Sequence, residues 1–192
     1  MKKPVTILIT ALISIVLSFV IYRFMTIKLI DLMYFNQDYL IWVYLGFNIV
    51  QAILTFIILF SILNRKINKI SIFAIGVLYL ITLVFVLFVR QKGVQGYEFN
   101  LVTDYYQWTA NSTNILIALM NAILFLPLAY IFKRAKYSIG IISGIIIITL
   151  CEIAQYIFSL GIFDIGDIVL NSFGFIVGII LFKIICPRKA FT

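Results

Sequence analysis

Long apolar runs recur along this sequence, and they constrain its fold more than any other feature. Six runs approach or exceed the roughly 20 residues that a helix needs to cross a bilayer. They are residues 4–22, 39–63, 70–89, 114–132, 137–159 and 168–185. Backbone groups in hydrocarbon must be satisfied internally, and the runs lack the alternation of a membrane barrel strand. All six are therefore predicted to be helices.

The composition leaves no room for a soluble domain. Of the 192 residues, 64% are hydrophobic and 11% are charged, whereas soluble domains carry about 25% charged residues. Six crossings use up the length of the chain. We therefore predict an all-α, polytopic membrane protein with about six transmembrane helices, in which residues 1–192 form a single membrane domain.

The positive charges are distributed unevenly between the predicted loops. Lys and Arg accumulate on the cytoplasmic side of short loops. With the N-terminus inside, 11 of the 15 bases fall in inner segments. These are Lys2, Lys3, Arg65, Lys66, Lys69, Lys133, Arg134, Lys136, Lys183, Arg188 and Lys189. No small-residue cleavage pattern follows the first run, so it is predicted to be an uncleaved anchor. We expect a multi-pass cell-membrane protein with both termini in the cytoplasm.

The net charge of +8 does not indicate nucleic-acid binding. The bases lie at helix ends, where membrane topology and anionic lipid headgroups explain them. The chain has no histidine, which excludes the usual general base and the usual metal ligand. Membrane lipids are the expected partners, and neither a cofactor nor a metal is predicted.

Polar side chains inside the predicted spans need a reason, because a charge at the bilayer centre costs about 2.5–3.5 kcal/mol. Glu152 is the only acid well inside a span, and Gln155 shares its helical face. Asn121 and Asn171 lie in the outer halves of two other spans. Three helices thus present polar groups at one side of the membrane. A further pair in the second span, Asn48 and Gln51, is interpreted as an interhelical contact.

The stretch "FDIGDIVLNSFGFIVG" places carboxylates at the outer end of the last span. Asp164 and Asp167 can cap free backbone amides there and meet the positive end of the helix dipole. Asn171 follows Asp167 on the same face. Gly174 and Gly178 form a small-xxx-small pair that lets a neighbouring helix approach closely.

The preceding helix is the expected neighbour of that glycine pair, since only a short turn around Gly161 joins the two helices. This packing would bring Glu152 and Gln155 towards Asp167 and Asn171. The outer segment 96–114 is rich in tyrosine and tryptophan. We interpret it as an aromatic belt at the headgroup level, with a ligand-guiding rim as the alternative.

Three motifs together carry a resemblance to a known family. "NAILFLPLAY", "CEIAQYIF" and "FDIGDIVLNSFGFIVG" resemble the VanZ-like family, named after a teicoplanin-resistance protein. The resemblance covers residues 114–185, a predicted three-helix core. The residues that match the family pattern are Asn121, Phe125, Pro127, Glu152, Gln155, Asp164, Asp167, Asn171, Gly174 and Gly178. Of these, Pro127, Gly174 and Gly178 are assigned to helix packing and the polar residues to a ligand site.

The sequence departs from the family pattern at two positions. Ala129 stands where the family often has a glycine, and Gly161 stands where it often has an arginine. An arginine there would pair with the acids. Arg90 and Arg23, at other outer ends, are the candidate substitutes.

The resemblance implies a link to glycopeptide resistance or to another function of the cell envelope. A non-enzymatic protein would bind either a lipidated glycopeptide or the lipid-linked cell-wall precursor at an outer-leaflet polar site. Two alternatives stay open. One is an enzyme with Glu152 as acid or base and a divalent cation on Asp164 and Asp167, and the other is a small transporter or accessory subunit.

Overall fold

The computed structural model describes residues 3–32, 37–64, 69–88 and 93–186. Six helices in these ranges are long and apolar enough to cross a membrane, which confirms the all-α polytopic class. They are Val5–Phe24, Leu40–Leu63, Lys69–Phe88, Ser112–Phe132, Tyr137–Ile157 and Ile165–Ile185. The orientation of the termini and the single membrane domain stay predictions. Backbone contacts divide the chain into two compact units, Met1–Gln91 and Lys92–Thr192.

All secondary-structure elements of the first unit are helical in its described residues. It contains α1 (Lys3–Ile21), a π-helical turn (Tyr22–Thr26), α2 (Ile27–Leu32), a 3-10 turn (Gln37–Tyr39), α3 (Leu40–Leu63) and α4 (Lys69–Phe88). Thr10, Ser14 and Ser18 form one buried stripe along α1. Small side chains at this spacing let two membrane helices approach closely, and α1 packs mainly on α3.

Three hydrogen bonds join α3 to α1 and to the π-helical turn in this unit. The Gln51 Nε2 donates to the Ser18 carbonyl at 3.0 Å, and its Oε1 accepts from the Thr26 hydroxyl at 2.7 Å. The Ser18 hydroxyl donates to the Asn48 carbonyl at 3.5 Å. The interpretation of Gln51 as an interhelical contact is confirmed, whereas Asn48 takes part through its backbone.

The second unit mixes helices with one pair of strands. It contains β1 (Val94–Glu98), α5 (Leu101–Thr109), α6 (Ser112–Leu124), a 3-10 helix (Pro127–Phe132), α7 (Tyr137–Ile157), β2 (Leu160–Asp164) and α8 (Ile165–Ile185). The strands pair in parallel, from Val94 opposite Leu160 to Glu98 opposite Asp164. The predicted short turn around Gly161 is therefore wrong, because this segment finds a hydrogen-bonding partner far away in sequence.

The fourth span changes its helix type at Pro127. Helix α6 ends at Leu124, and a 3-10 helix continues from Pro127. Proline has no backbone N–H and cannot continue an α-helical ladder. Its own side chain is exposed, and the buried residues of this segment are Leu128 and Ala129.

Candidate functional site

The charged side chains of the second unit are separated into two groups. Among residues 93–186, the acids are Glu98, Asp104, Glu152, Asp164 and Asp167, and the bases are Lys133, Arg134, Lys136 and Lys183. Along α8, Asp167 and Lys183 are about 24 Å apart at 1.5 Å per residue. We call the two regions the acidic end and the basic end. Arg90, a candidate substitute for the family's arginine, lies outside the described residues.

Strand β2 ends at Asp164, directly before the first turn of α8. The Asp164 Oδ1 accepts a hydrogen bond from the Gly166 N–H at 2.6 Å, so this carboxylate caps the helix. Burial raises the pKa of Asp164, and the neighbouring Glu98 raises it further. The backbone N–H groups of Gly166 and Asp167 act in the opposite direction, because they stabilise the charged form.

Asn121 and Asp167 are in direct contact. The Asn121 Nδ2 donates to the Asp167 Oδ1 at 2.6 Å, which links α6 to α8. These residues are far apart in sequence, and both were assigned to the ligand site. A carboxylate inside or beside a membrane span is costly without a donor. The amide of Asn121 supplies that donor.

The small residues of α8 pack on α6 and the 3-10 helix. A Cβ at Gly174 would overlap the Ala122 carbonyl oxygen, and one at Gly178 would overlap that of Leu126. The expectation that the preceding helix meets this glycine pair is wrong. Ala129 also lies here, with its Cβ 2.8 Å from the position of a Cβ at Gly178. Its methyl group is accommodated because Gly178 has none.

Helix α7 packs on α8 through glycines of its own. Gly144 faces the Phe175 ring, and Gly140 faces Ile179. From Gly140 to Gly144 the chain of α7 advances by four residues, while the facing residue of α8 moves back by four, from Ile179 to Phe175. The two helices are therefore antiparallel. Continued along both helices, this register places Glu152 level with Asp167. The predicted approach of Glu152 to the last helix thus follows from α7 glycines, which the sequence analysis did not use.

Three polar side chains in the resulting cluster are almost fully buried. The exposed fraction is 4% for Glu152, 3% for Gln155 and 3% for Asn171. Glu152 and Gln155 both have interaction partners in the structure. The Asn171 Oδ1, in contrast, has no hydrogen-bond partner in the described part of the chain. The cluster therefore contains a buried acceptor that lacks a donor.

All residues of this polar cluster lie in a region that matches a known protein family. A family model described as VanZ/LLP1 matches residues 73–186, which is more than half of the chain. The chain belongs to the VanZ/LLP1 family. This confirms the resemblance and extends it ahead of residue 114. No curated protein and no solved structure matches the chain.

One buried acid of the acidic end, Asp104, was missed by sequence reasoning, although it lies within the VanZ/LLP1 match. Asp104 is on α5, inside the segment interpreted as an aromatic belt. It is 2% exposed, and its Oδ2 has no hydrogen-bond partner among the described residues. Burial raises the pKa of Asp104, and the charges of Asp164 and Glu98 raise it further.

A sequence signal for α5 was present. Asn100 is a favoured N-cap residue, and its side chain accepts from the N–H groups of Val102 and Thr103. Asp104 and Trp108, four residues apart, then lie on one helical face. Both meet α8 at Gly166. The pairing of Asp104 and Trp108 can be recognised in the sequence once residues 101–109 are predicted to form a helix.

The acidic end of this VanZ/LLP1 protein does not resemble a metal centre. In the described ranges, no group of three or more His, Cys, Asp or Glu side chains is arranged to hold a metal ion. The Oδ1 of Asp164 accepts from Gly166, and the Oδ1 of Asp167 accepts from Asn121. Each of these two carboxylates is therefore held in place by a hydrogen bond within the protein.

Proposed function

We propose that this VanZ/LLP1 protein binds a lipidated or lipid-linked ligand at its acidic end, and that binding lowers the susceptibility of the cell to lipidated glycopeptides. The observation that carries the proposal is the Asn171 Oδ1, a buried acceptor without a partner. Leaving such a group unsatisfied costs about 1–3 kcal/mol. A ligand that donates a hydrogen bond would recover that free energy.

Each polar residue has a role in this proposal. Asn171 accepts from the ligand, and Asn121 holds the Asp167 carboxylate in position. Glu152, level with Asp167, accepts a further hydrogen bond, and Gln155 orients the bound group. Asp164 sets the negative field at the mouth. Glu152 belongs to a membrane span, which favours a ligand whose polar group enters from the headgroup region.

The predicted orientation adds the location of the ligand. If the N-terminus is cytoplasmic, the acidic end faces outwards. Lipidated glycopeptides and the lipid-linked precursor that they bind both meet the membrane at its outer leaflet. Binding of either partner there would change the outcome of drug exposure without a chemical step.

The test uses a deletion strain complemented with the full chain or its variants. We expect the intact protein to reduce susceptibility to a lipidated glycopeptide and to leave susceptibility to an unlipidated one unchanged. Glu152→Ala and Asn171→Ala should abolish the effect at equal membrane abundance. Cys151→Ala is the matched control, because Cys151 lies on the same helix beside Glu152 but is only half-buried. Full resistance in a well-expressed Glu152→Ala strain would refute the proposal.

A further inference from the structure

Asp104 has a buried carboxylate with an oxygen that lacks a hydrogen-bond partner in the described ranges. The side chain is 2% exposed, and the Oδ2 atom is unbonded among the described residues. It lies over the first turn of α8, with the Oδ2 2.6 Å from the position of a Cβ at Gly166. Only glycine at position 166 allows the carboxylate to approach the α8 backbone this closely.

The described charged residues that act on Asp104 are negative. Strand β1 contributes Glu98 and strand β2 contributes Asp164, and both charges raise the pKa of Asp104. Helix α6 carries no ionisable side chain, and the nearest ionisable residue of α8 is Asp167. On α5 itself, the ionisable neighbours are the exposed phenols of Tyr105 and Tyr106. Within residues 93–186, all four bases lie at the basic end. A buried carboxylate in such surroundings favours a cation.

Trp108 adds an aromatic surface beside this carboxylate. Its Cζ2 lies 2.8 Å from the position of a Cβ at Gly166, so the indole and the Asp104 carboxylate converge on one residue. A carboxylate next to an indole is a typical receptor for an ammonium group. The carboxylate accepts its hydrogen bonds, and the ring attracts the positive charge.

Other charged ligands fit this place less well. A divalent metal needs several oxygens at short range, but the Glu98 Oε1 already accepts from the Asn100 N–H at 2.9 Å. The Asp164 Oδ1 is committed to Gly166. The described residues offer no group of three or more acidic, thiol or imidazole ligands for a metal. A phosphate would be repelled by Glu98, Asp104 and Asp164.

We propose that Asp104 and Trp108 bind a primary ammonium group at the acidic end. Because the ammonium group would be part of the ligand, this inference rests on the proposed function. The ammonium group could belong to an aminolipid headgroup or to a soluble molecule. The two sources share the same chemistry and are separated by the experiment.

The experiment uses the full chain in phosphatidylcholine nanodiscs. The sequence has two tryptophans, so a Trp42→Phe background leaves Trp108 as the fluorescent reporter. We expect n-butylammonium to give a saturable change in Trp108 emission, whereas n-pentanol, its uncharged analogue, and inorganic phosphate give none. Asp104→Asn should abolish the response. Asp38→Asn, which removes an exposed acid of the other unit, should leave it unchanged.

Two further arms identify the source and guard against a misfolded variant. A response in nanodiscs containing phosphatidylethanolamine without soluble amine would assign the group to a lipid, and a response only to n-butylammonium would assign it to a soluble ligand. In the protein with Asp104 intact, the change in Trp108 emission on addition of n-butylammonium should become smaller as the pH is lowered and this carboxylate is protonated.

Several outcomes would overturn the ammonium site. These are no response to n-butylammonium, a response retained in Asp104→Asn, or an equal response to n-pentanol. Resistance that depends on Glu152 in a protein without any ammonium response would leave the proposed function standing and refute this site. An ammonium response in a protein that confers no resistance would support this site and refute the proposed function.

Discussion

Among the described residues, the buried hydroxyls of Met1–Gln91 are hydrogen-bonded, whereas several buried polar side chains of Lys92–Thr192 have an oxygen without a partner. In the described residues of the first unit, each buried hydroxyl donates to a backbone carbonyl. These hydroxyls belong to Thr10, Ser14, Ser18 and Ser61. In the described residues of the second unit, Asp104, Asn171 and Ser172 each have a buried oxygen without a hydrogen-bond partner. The first set is hydrogen-bonded within the described helices, whereas the second set has no hydrogen-bond partner among the described residues.

The glycines of the two units show a parallel difference. A Cβ at Gly46 or Gly76 in the first unit would meet nothing within 4 Å. In the second unit, Gly144 and Gly174 face a phenyl ring and a backbone carbonyl at distances that no Cβ could share. The helices of the second unit are therefore held in a closely defined arrangement. In the proposed ligand site, such rigidity would hold the unsatisfied polar groups in position.

The largest expected effect concerns the closest helix contact. Gly174→Ala would drive a methyl group into the Ala122 carbonyl oxygen, and a backbone atom cannot move aside as a side-chain end can. We expect destabilisation of at least about 3 kcal/mol, the upper end for overpacking. Thermal unfolding in detergent measures it. Gly76→Ala is the control and should be neutral or slightly stabilising, because alanine favours helix. Equal stability of both variants would break the comparison between the units.

A smaller effect is expected at the contact between α7 and α8. Gly144→Ala would press on the Phe175 ring, which can shift. We expect a cost of about 1–3 kcal/mol. Phe175→Leu in the same chain should recover part of this cost, since the smaller side chain leaves room for the methyl group. Purely additive losses in the double variant would contradict the α7–α8 register that places Glu152 level with Asp167.

The difference between the polar side chains of the two units can be tested by replacing one of them in each unit. Gln51→Leu removes the contacts to Ser18 and Thr26, and we expect it to lower the free energy of unfolding by about 1–2 kcal/mol. Asn171→Leu removes an acceptor without a partner. It should leave the stability unchanged or raise it, while abolishing the resistance phenotype. Chemical denaturation in micelles measures both changes, and a loss of stability at Asn171 as large as that at Gln51 would contradict the assignment.

The smallest effect is a pH dependence at Asp104. Because the folded-state pKa of Asp104 is raised above its ordinary value, the folded protein binds this proton more tightly than the unfolded chain does. Stability attributable to Asp104 is therefore greatest at low pH and falls as the pH rises through the raised pKa. Asp104→Asn should melt higher than the parent at neutral pH, and the difference should vanish on acidification. Parallel melting curves at all pH values would show that Asp104 is not desolvated.

The predicted spans agree closely with the helices, and the family motifs lead to most of the polar cluster. The expected span 137–159 corresponds to α7, Tyr137–Ile157. Hydrophobic length is a local property of the chain, so it can be read without knowledge of the fold. Asp104 escaped notice because its significance depends on burial. Nothing in the aromatic segment around it shows that α5 packs against Gly166.

The sequence by itself determined that the chain crosses a membrane as helices, where those helices lie, and which family supplies its polar motifs. Only the tertiary structure decided that Gly174 meets α6 and that β1 pairs with β2. It also decided that Asp104 joins the acidic end. These features depend on contacts between residues far apart in the chain, and many pairings of six similar apolar helices are compatible with one hydropathy pattern. Shape complementarity, such as a carbonyl against a glycine, selects among them.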